Sequence, residues 1–147
     1  MTGDTWRRLE ASFAEFPFLT GESGTEDEVD ALAEKLGRPL PPDYREFLLR
    51  YGGSVVGPYP IYGVRQAQAG MGRAPQSVVD LNERWRRPGW PHANEWLIVS
   101  EDGYGNPIGI ANDGRVLSWD HDRNQTYEVA QGFEGFIRWC LEQSDQT

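Results

Sequence analysis

Residues 36–53 read LGRPLPPDYREFLLRYGG, and their chemistry places two helix boundaries around a rigid corner. Gly37 suits the left-handed conformation that closes a helix, while Pro39, Pro41 and Pro42 lack the N–H groups that a continuing helix would need. A preceding helix must stop here. Pro42 fits the first turn of a new helix, where its missing donor costs nothing, and Asp43 sets a negative charge against the positive end of the helix dipole. Tyr44, Phe47, Leu48 and Tyr51 then fall at i, i+3, i+4 and i+7, a stripe for a core, before Gly52 and Gly53 end the segment.

Upstream, Trp6, Leu9, Phe13 and Phe16 recur at helical spacing over residues 4–16, with Asp4 as the expected N-cap and Pro17 as the stop. Thr25 followed by Glu28 is a capping box opening the helix that ends at Gly37; Val29, Leu32, Ala33 and Leu36 form its buried stripe. Glu26, Asp27, Glu28 and Asp30 crowd its first turns, where the dipole favours negative charge. Downstream, Val55-Val56 and residues 59–65 read as short strands followed by a long loop. Residues 77–87 read as a helix with Ser77 as cap, Val78, Leu81 and Trp85 on one face, Arg84, Arg86 and Arg87 in the last turn and Pro88-Gly89 beyond it. Four strands follow at 96–100, 107–111, 115–119 and 126–130, joined by turns at 102–106, 112–114 and 120–125. Asn112-Asp113-Gly114 is a hairpin signal, since positive φ is cheap for those residues. Phe133, Phe136, Ile137, Cys140 and Leu141 close the chain with an amphipathic helix. Helices, then an antiparallel meander, then a helix predict an α+β fold, with the N-terminal helices and the C-terminal helix packed on the sheet.

The chain has 147 residues, enough for a single domain over 1–147. Its first residues lack an apolar signal segment, and the longest aliphatic-aromatic run is Trp96 to Val99, which predicts a soluble protein with no membrane role. Cys140 is the single cysteine, so no internal disulfide is possible and a reducing cytoplasm is the simplest setting. The net charge is −9, distributed as −5 over residues 1–50, +3 over 51–90 and −7 over 91–147. That balance disfavours direct nucleic-acid binding and suits either plain solubility or a basic partner. Arginine outnumbers lysine 13 to 1, which points to a GC-rich, bacterial source.

The acidic helix, the Leu36-Gly37 stop, the Leu40-Pro41 corner and the aromatic helix ending in Gly52-Gly53 together resemble the signature of the SUKH superfamily. Its members include bacterial immunity proteins and a fungal cell-wall regulator. The resemblance extends over residues 25–142, through the glycine-rich turn before a strand pair and the strand leading by Ala130 into a phenylalanine-bearing helix. It departs at Gln131-Gly132, where many relatives have a serine pair, and at Gly105-Asn106, where many have an aspartate. It implies a SUKH-like α+β fold and an immunity protein that binds and neutralises a cognate toxin domain encoded nearby, often a nuclease or other basic enzyme. The alternative that it implies is a housekeeping regulatory scaffold that binds a cellular protein.

Catalytic and cofactor patterns fail on their spacing. The glycines at 103, 105 and 109 miss the dinucleotide fingerprint by one residue and precede a strand, and the sole lysine, Lys35, follows no phosphate-cradling loop. Asp120-His121-Asp122-Arg123-Asn124 begins like a calcium loop, but Gln125 and Gln131 stand where glycine and glutamate are required. His92 and His121 lack zinc spacing, and Cys140 lies on a buried stripe. No cofactor, metal or catalytic residue is expected; an enzyme using Asp120, His121 and Asp122 is the third reading. Several aromatics, Tyr59, Tyr62, Trp90 and Tyr104, fall in or beside loops. The expected partner surface is an acidic rim around aromatic anchors: Glu101, Asp102, Tyr104, Asn106, Trp119, Asp120 and Asp122. Two strands separate its two turns, which allows them to share an end of the sheet. The acidic helix bearing Glu26, Asp27 and Asp30 is the other candidate surface.

Overall fold

The structure is a computed structural model, and it describes residues 1–68, 75–86 and 95–144. The elements run α1 (Gly3–Glu15), a 3-10 turn (Pro17–Leu19), α2 (Glu26–Leu36), α3 (Pro42–Tyr51), β1 (Ser54–Val56), β2 (Tyr59–Ile61), α4 (Val78–Trp85), β3 (Leu97–Glu101), β4 (Pro107–Ile110), β5 (Val116–Asp120), β6 (Gln125–Ala130) and α5 (Phe133–Ser144). This is the α+β arrangement expected from the pattern. None of the described helices is long and apolar enough to cross a membrane.

The decisive corner forms as its chemistry requires. Thr25 accepts from the Glu28 N–H and Glu28 reaches back to the Thr25 N–H, each at 3.1 Å, which completes the capping box of α2. Gly37 closes α2 at φ +72°, and α3 begins on Pro42. At the end of α3 the chain turns at Gly52, with φ +69°, where a Cβ would lie 1.9 Å from the Glu22 carbonyl oxygen; only glycine fits. Arg65 locks this crossing by donating to the carbonyls of Glu22 and Ser23, at 2.6 and 3.0 Å, and by pairing with Glu28.

Several local expectations are corrected. Thr2, not Asp4, is the N-cap of α1, without a side-chain cap bond, and Asp4 sits in the first turn 3.8 Å from Arg7. The strand expected over 59–65 stops at Ile61, because the following backbone leaves β1: Tyr62 N–H donates to Val99 O and Val64 N–H to Gly52 O. In the hairpin at 112–114 only Gly114 takes positive φ, at +91°. Arg87, Pro88, Gly89, Trp90 and His92 lie outside the described residues.

β3-β4-β5-β6 form an antiparallel meander in that order, and β1-β2 form a separate hairpin. The outer edge of β3 is met by a side chain: Asn82 of α4 accepts from Ile98 N–H at 2.9 Å and donates to Ile98 O at 2.8 Å, as a neighbouring strand would. Tyr44, Phe47, Phe133 and Phe136 pack among the aliphatic residues in one continuous buried cluster, with Tyr44 and Phe47 edge-on to Phe133 at 5.3 and 5.6 Å. The Tyr44 hydroxyl, fully buried, donates to Tyr62 O at 2.5 Å. The meander brings the β3-β4 and β5-β6 turns to one end of the sheet and leaves the β4-β5 turn at the other.

Candidate functional site

The β3-β4 turn is built by Asp102. Its Oδ1 accepts from the N–H groups of Tyr104 and Asn106, at 2.8 and 2.9 Å, while its own N–H donates to Asn106 O at 3.0 Å. Gly105, at φ +79°, completes the loop. The β5-β6 turn repeats the device: Asp120 Oδ1 accepts from the N–H groups of Asp122 and Arg123, at 2.9 and 3.2 Å. Asn124, in the left-handed region at φ 51°, accepts from Trp119 Nε1 at 3.1 Å.

Asn106 joins the two turns. Its Oδ1 accepts from His121 N–H at 3.1 Å and meets His121 Nδ1 at 2.5 Å, and its Nδ2 donates to Asp102 Oδ2 at 3.0 Å. This arrangement assigns the Nδ1–H tautomer to the ring. Asp122 Oδ1 lies 3.3 Å from Nε2, an ion pair only when His121 is protonated. The amide gives the departure at Gly105-Asn106 a physical meaning, since an ionised aspartate at 106 could not donate to Asp102. Asn106 is 7% exposed, whereas Tyr104, at the crest of the first turn, is 84% exposed.

The residues expected at the partner surface therefore occupy three kinds of position. Tyr104 and Asp122 project into solvent. Asp102, Asp120 and Asn106 hold the turns, although the two aspartates still contribute their charge. Glu101 turns inward, 12% exposed and 3.7 Å from Arg84, and Trp119 is half-buried behind Asn124. Tyr59 stands near this end too: burial first, then the nearby Asp102 carboxylate, pushes its hydroxyl pKa up. The Tyr62 hydroxyl is pushed up to about 12, by burial and then by Glu101, with Arg84 opposing. Asp30 of the acidic helix pairs with Arg45 at 2.8 Å, while Glu26 and Asp27 are exposed.

Sequence reasoning missed the bridge. Asp102 and Asn106, four apart around two glycines, carry a signal of a side-chain-closed loop. Nothing local to either turn, however, announces the contact of Asn106 with His121, which is 15 residues away. Asp120 is engaged with its own turn and His121 Nδ1 with Asn106. The thiol of Cys140 is buried in α5, and that burial pushes its pKa far up. Among the described residues no group of three or more His, Cys, Asp or Glu is placed to hold a metal ion.

The SMI1 / KNR4 family (SUKH-1) model matches residues 24–139, well over half of the chain and spanning the corner, both sheets and most of α5. The chain belongs to the SMI1 / KNR4 family (SUKH-1). No curated protein matches it. In this SUKH-1 chain the match begins at Gly24, just before the capping box, so α1 lies outside the matched region although its Trp6, Leu9 and Phe13 enter the common core.

Proposed function

We propose that this single-domain protein is an immunity protein, binding a basic toxin domain encoded nearby in a bacterial genome and neutralising it in the cytoplasm. The observation that carries the reading is the Asn106–His121 bridge. It ties together the two turns that carry Asp102, Asp120 and Asp122, with Tyr104 exposed on the first of them. Negative charge around a rigid aromatic anchor is what a steered interface needs: the charge accelerates encounter with a basic enzyme, and the ring supplies a contact that can be desolvated. Membership of the SMI1 / KNR4 family supports a binding role.

The test is association of the full chain with the product of the neighbouring gene, measured by stopped flow at low and high salt. Asp120→Asn retains the Oδ1 acceptor that holds its turn, and among the described residues the Asp122 and Tyr104 side chains, exposed, make no hydrogen bond to another element, Asp122 meeting only its neighbour His121, so Asp120→Asn, Asp122→Asn and Tyr104→Ala are suitable changes. The double neutralisation should slow association at low salt and flatten the salt dependence; Tyr104→Ala should speed dissociation. Unchanged kinetics would move the interface, with Glu26 and Asp27 as the next surface to neutralise. Failure to bind the neighbouring product at all would favour a regulatory scaffold.

A further inference from the structure

At the other end of the sheet lies a groove of about 820 Å³, between the proline corner that links α2 to α3 and the β4-β5 turn. Its floor is apolar, formed by residues such as Leu40, Trp96, Leu97 and Ile110, each less than a tenth exposed. Arg38 and Arg86 line it, on the corner and at the end of α4. Arg7, Arg45, Arg50, Arg65, Arg84 and Arg115 each lie within ion-pair distance of a carboxylate. Arg38 and Arg86, like Arg8, Arg123 and Arg138 elsewhere on the surface, have no such partner among the described residues, but these two share one groove. Arg38 instead donates to Asn112 Oδ1 at 2.7 Å, a neutral acceptor on the β4-β5 turn.

The position of Arg38 is imposed by the backbone. Its N–H donates to Ala33 O at 3.2 Å as part of the α2 stop, and Pro39 restricts the chain on its other side. The guanidinium is thus held half-buried over an apolar floor, where burial pulls its pKa down and, among the described residues, no carboxylate offsets the lost hydration. Asp113, the one acid among the described residues lining the groove, is already held by Arg115, whose Nε donates to it at 2.6 Å. On a protein of net charge −9, two guanidinium groups without acidic partners among the described residues, at the rim of an apolar trough, form a local site of the opposite sign. Guanidinium is the side chain best matched to carboxylate.

We propose that this groove is a second binding site, taking a short peptide segment of a partner protein in which glutamate or aspartate sits beside apolar residues. The apolar side chains lie on the floor and the carboxylate meets Arg38 and Arg86. The site faces away from the acidic end, so a partner presenting a basic surface there and an acidic-apolar segment here could engage both. The groove proposal stands whether or not the acidic end binds a toxin.

The probe is the peptide acetyl-Leu-Glu-Leu-Glu-Leu-amide, with its glutamine counterpart, titrated to millimolar concentration into the full 15N-labelled chain at physiological salt. Saturable shifts are expected at the Trp96 indole and the Ala111 and Gly114 amides. The glutamine peptide should bind at least about tenfold more weakly, as should the glutamate peptide to Arg38→Gln or Arg86→Gln, the loss expected for a charge-assisted hydrogen bond. Arg86 is exposed and forms no tertiary hydrogen bond through its side chain among the described residues, so Arg86→Gln reports on binding even if Arg38→Gln disturbs the corner. Asp120→Asn, Asp122→Asn and Tyr104→Ala should leave the affinity unchanged. Absence of shifts at the groove, equal binding of the two peptides, or undiminished binding by Arg86→Gln would overturn the proposal.

Discussion

Replacing Asn106 with alanine isolates the contact on which the acidic end depends. The side chain is 7% exposed and makes three hydrogen bonds, two accepted from His121 and one donated to Asp102. At about 0.5–1.5 kcal/mol net for each, full additivity would give roughly 1.5–4.5 kcal/mol. His121 is exposed and Asp102 half-exposed, so water can replace part of what is lost, and we expect about 1–2 kcal/mol. For a chain of this length that is a fall in Tm of about 2–8 °C. The sharper readout is hydrogen exchange at the His121 amide, which should speed up in Asn106→Ala by far more than amides of β4. His121→Ala is the control: it keeps the backbone bond to Asn106 and should cost less than Asn106→Ala. A stability loss below about 0.5 kcal/mol with the His121 amide still protected would refute the bridge.

The remaining predictions concern the core, its acid sensitivity and its thiol. Phe47→Ala removes a fully buried ring that packs on Phe133 and Tyr51, and should cost about 3–5 kcal/mol in urea unfolding; a loss below about 1 kcal/mol would mean that the α3 stripe does not face the core. The Arg65 guanidinium and the Thr25 N–H hold the Glu28 carboxyl below its ordinary value of 4.5. Because the folded pKa is depressed, the stabilisation is present above that ordinary value and lost as pH falls through the folded one. Unfolding of the native chain and of Glu28→Gln should therefore differ at neutral pH and converge in acid; a pH-independent difference would exclude this linkage. Burial keeps Cys140 protonated, so a thiol reagent should label the native protein only as fast as it opens, and labelling as rapid as in the unfolded chain would show that α5 does not seal the thiol.

Where a boundary depends on a few neighbouring residues, the sequence was enough. The capping box at Thr25 and Glu28, the left-handed stop at Gly37, the proline start of α3 and the cap at Ser77 are contacts over four residues or fewer, and their side-chain chemistry specifies them. The four-strand order was legible for the same reason, since short turns force neighbours in the chain to become neighbours in the sheet. That the two acidic turns share an end followed from counting strands. The truncation of β2 was not legible, because Tyr62 and Val64 trade strand pairing for bonds to β3 and to Gly52.

The tertiary structure alone decided what each acidic side chain is free to do. Composition marks residues 101–106 and 120–124 as acidic, but only packing turns Glu101 toward Arg84, commits Asp102 and Asp120 to their own loops and leaves Asp122 and Tyr104 outside. Likewise only the fold brings Arg38 to Asn112, 74 residues away, and sets Asn106, from the 102–106 turn, against His121. Local propensity acts over the few bonds that separate a cap from its helix. A partner across the sheet is chosen only when burial of the common core has fixed the register that brings distant loops together.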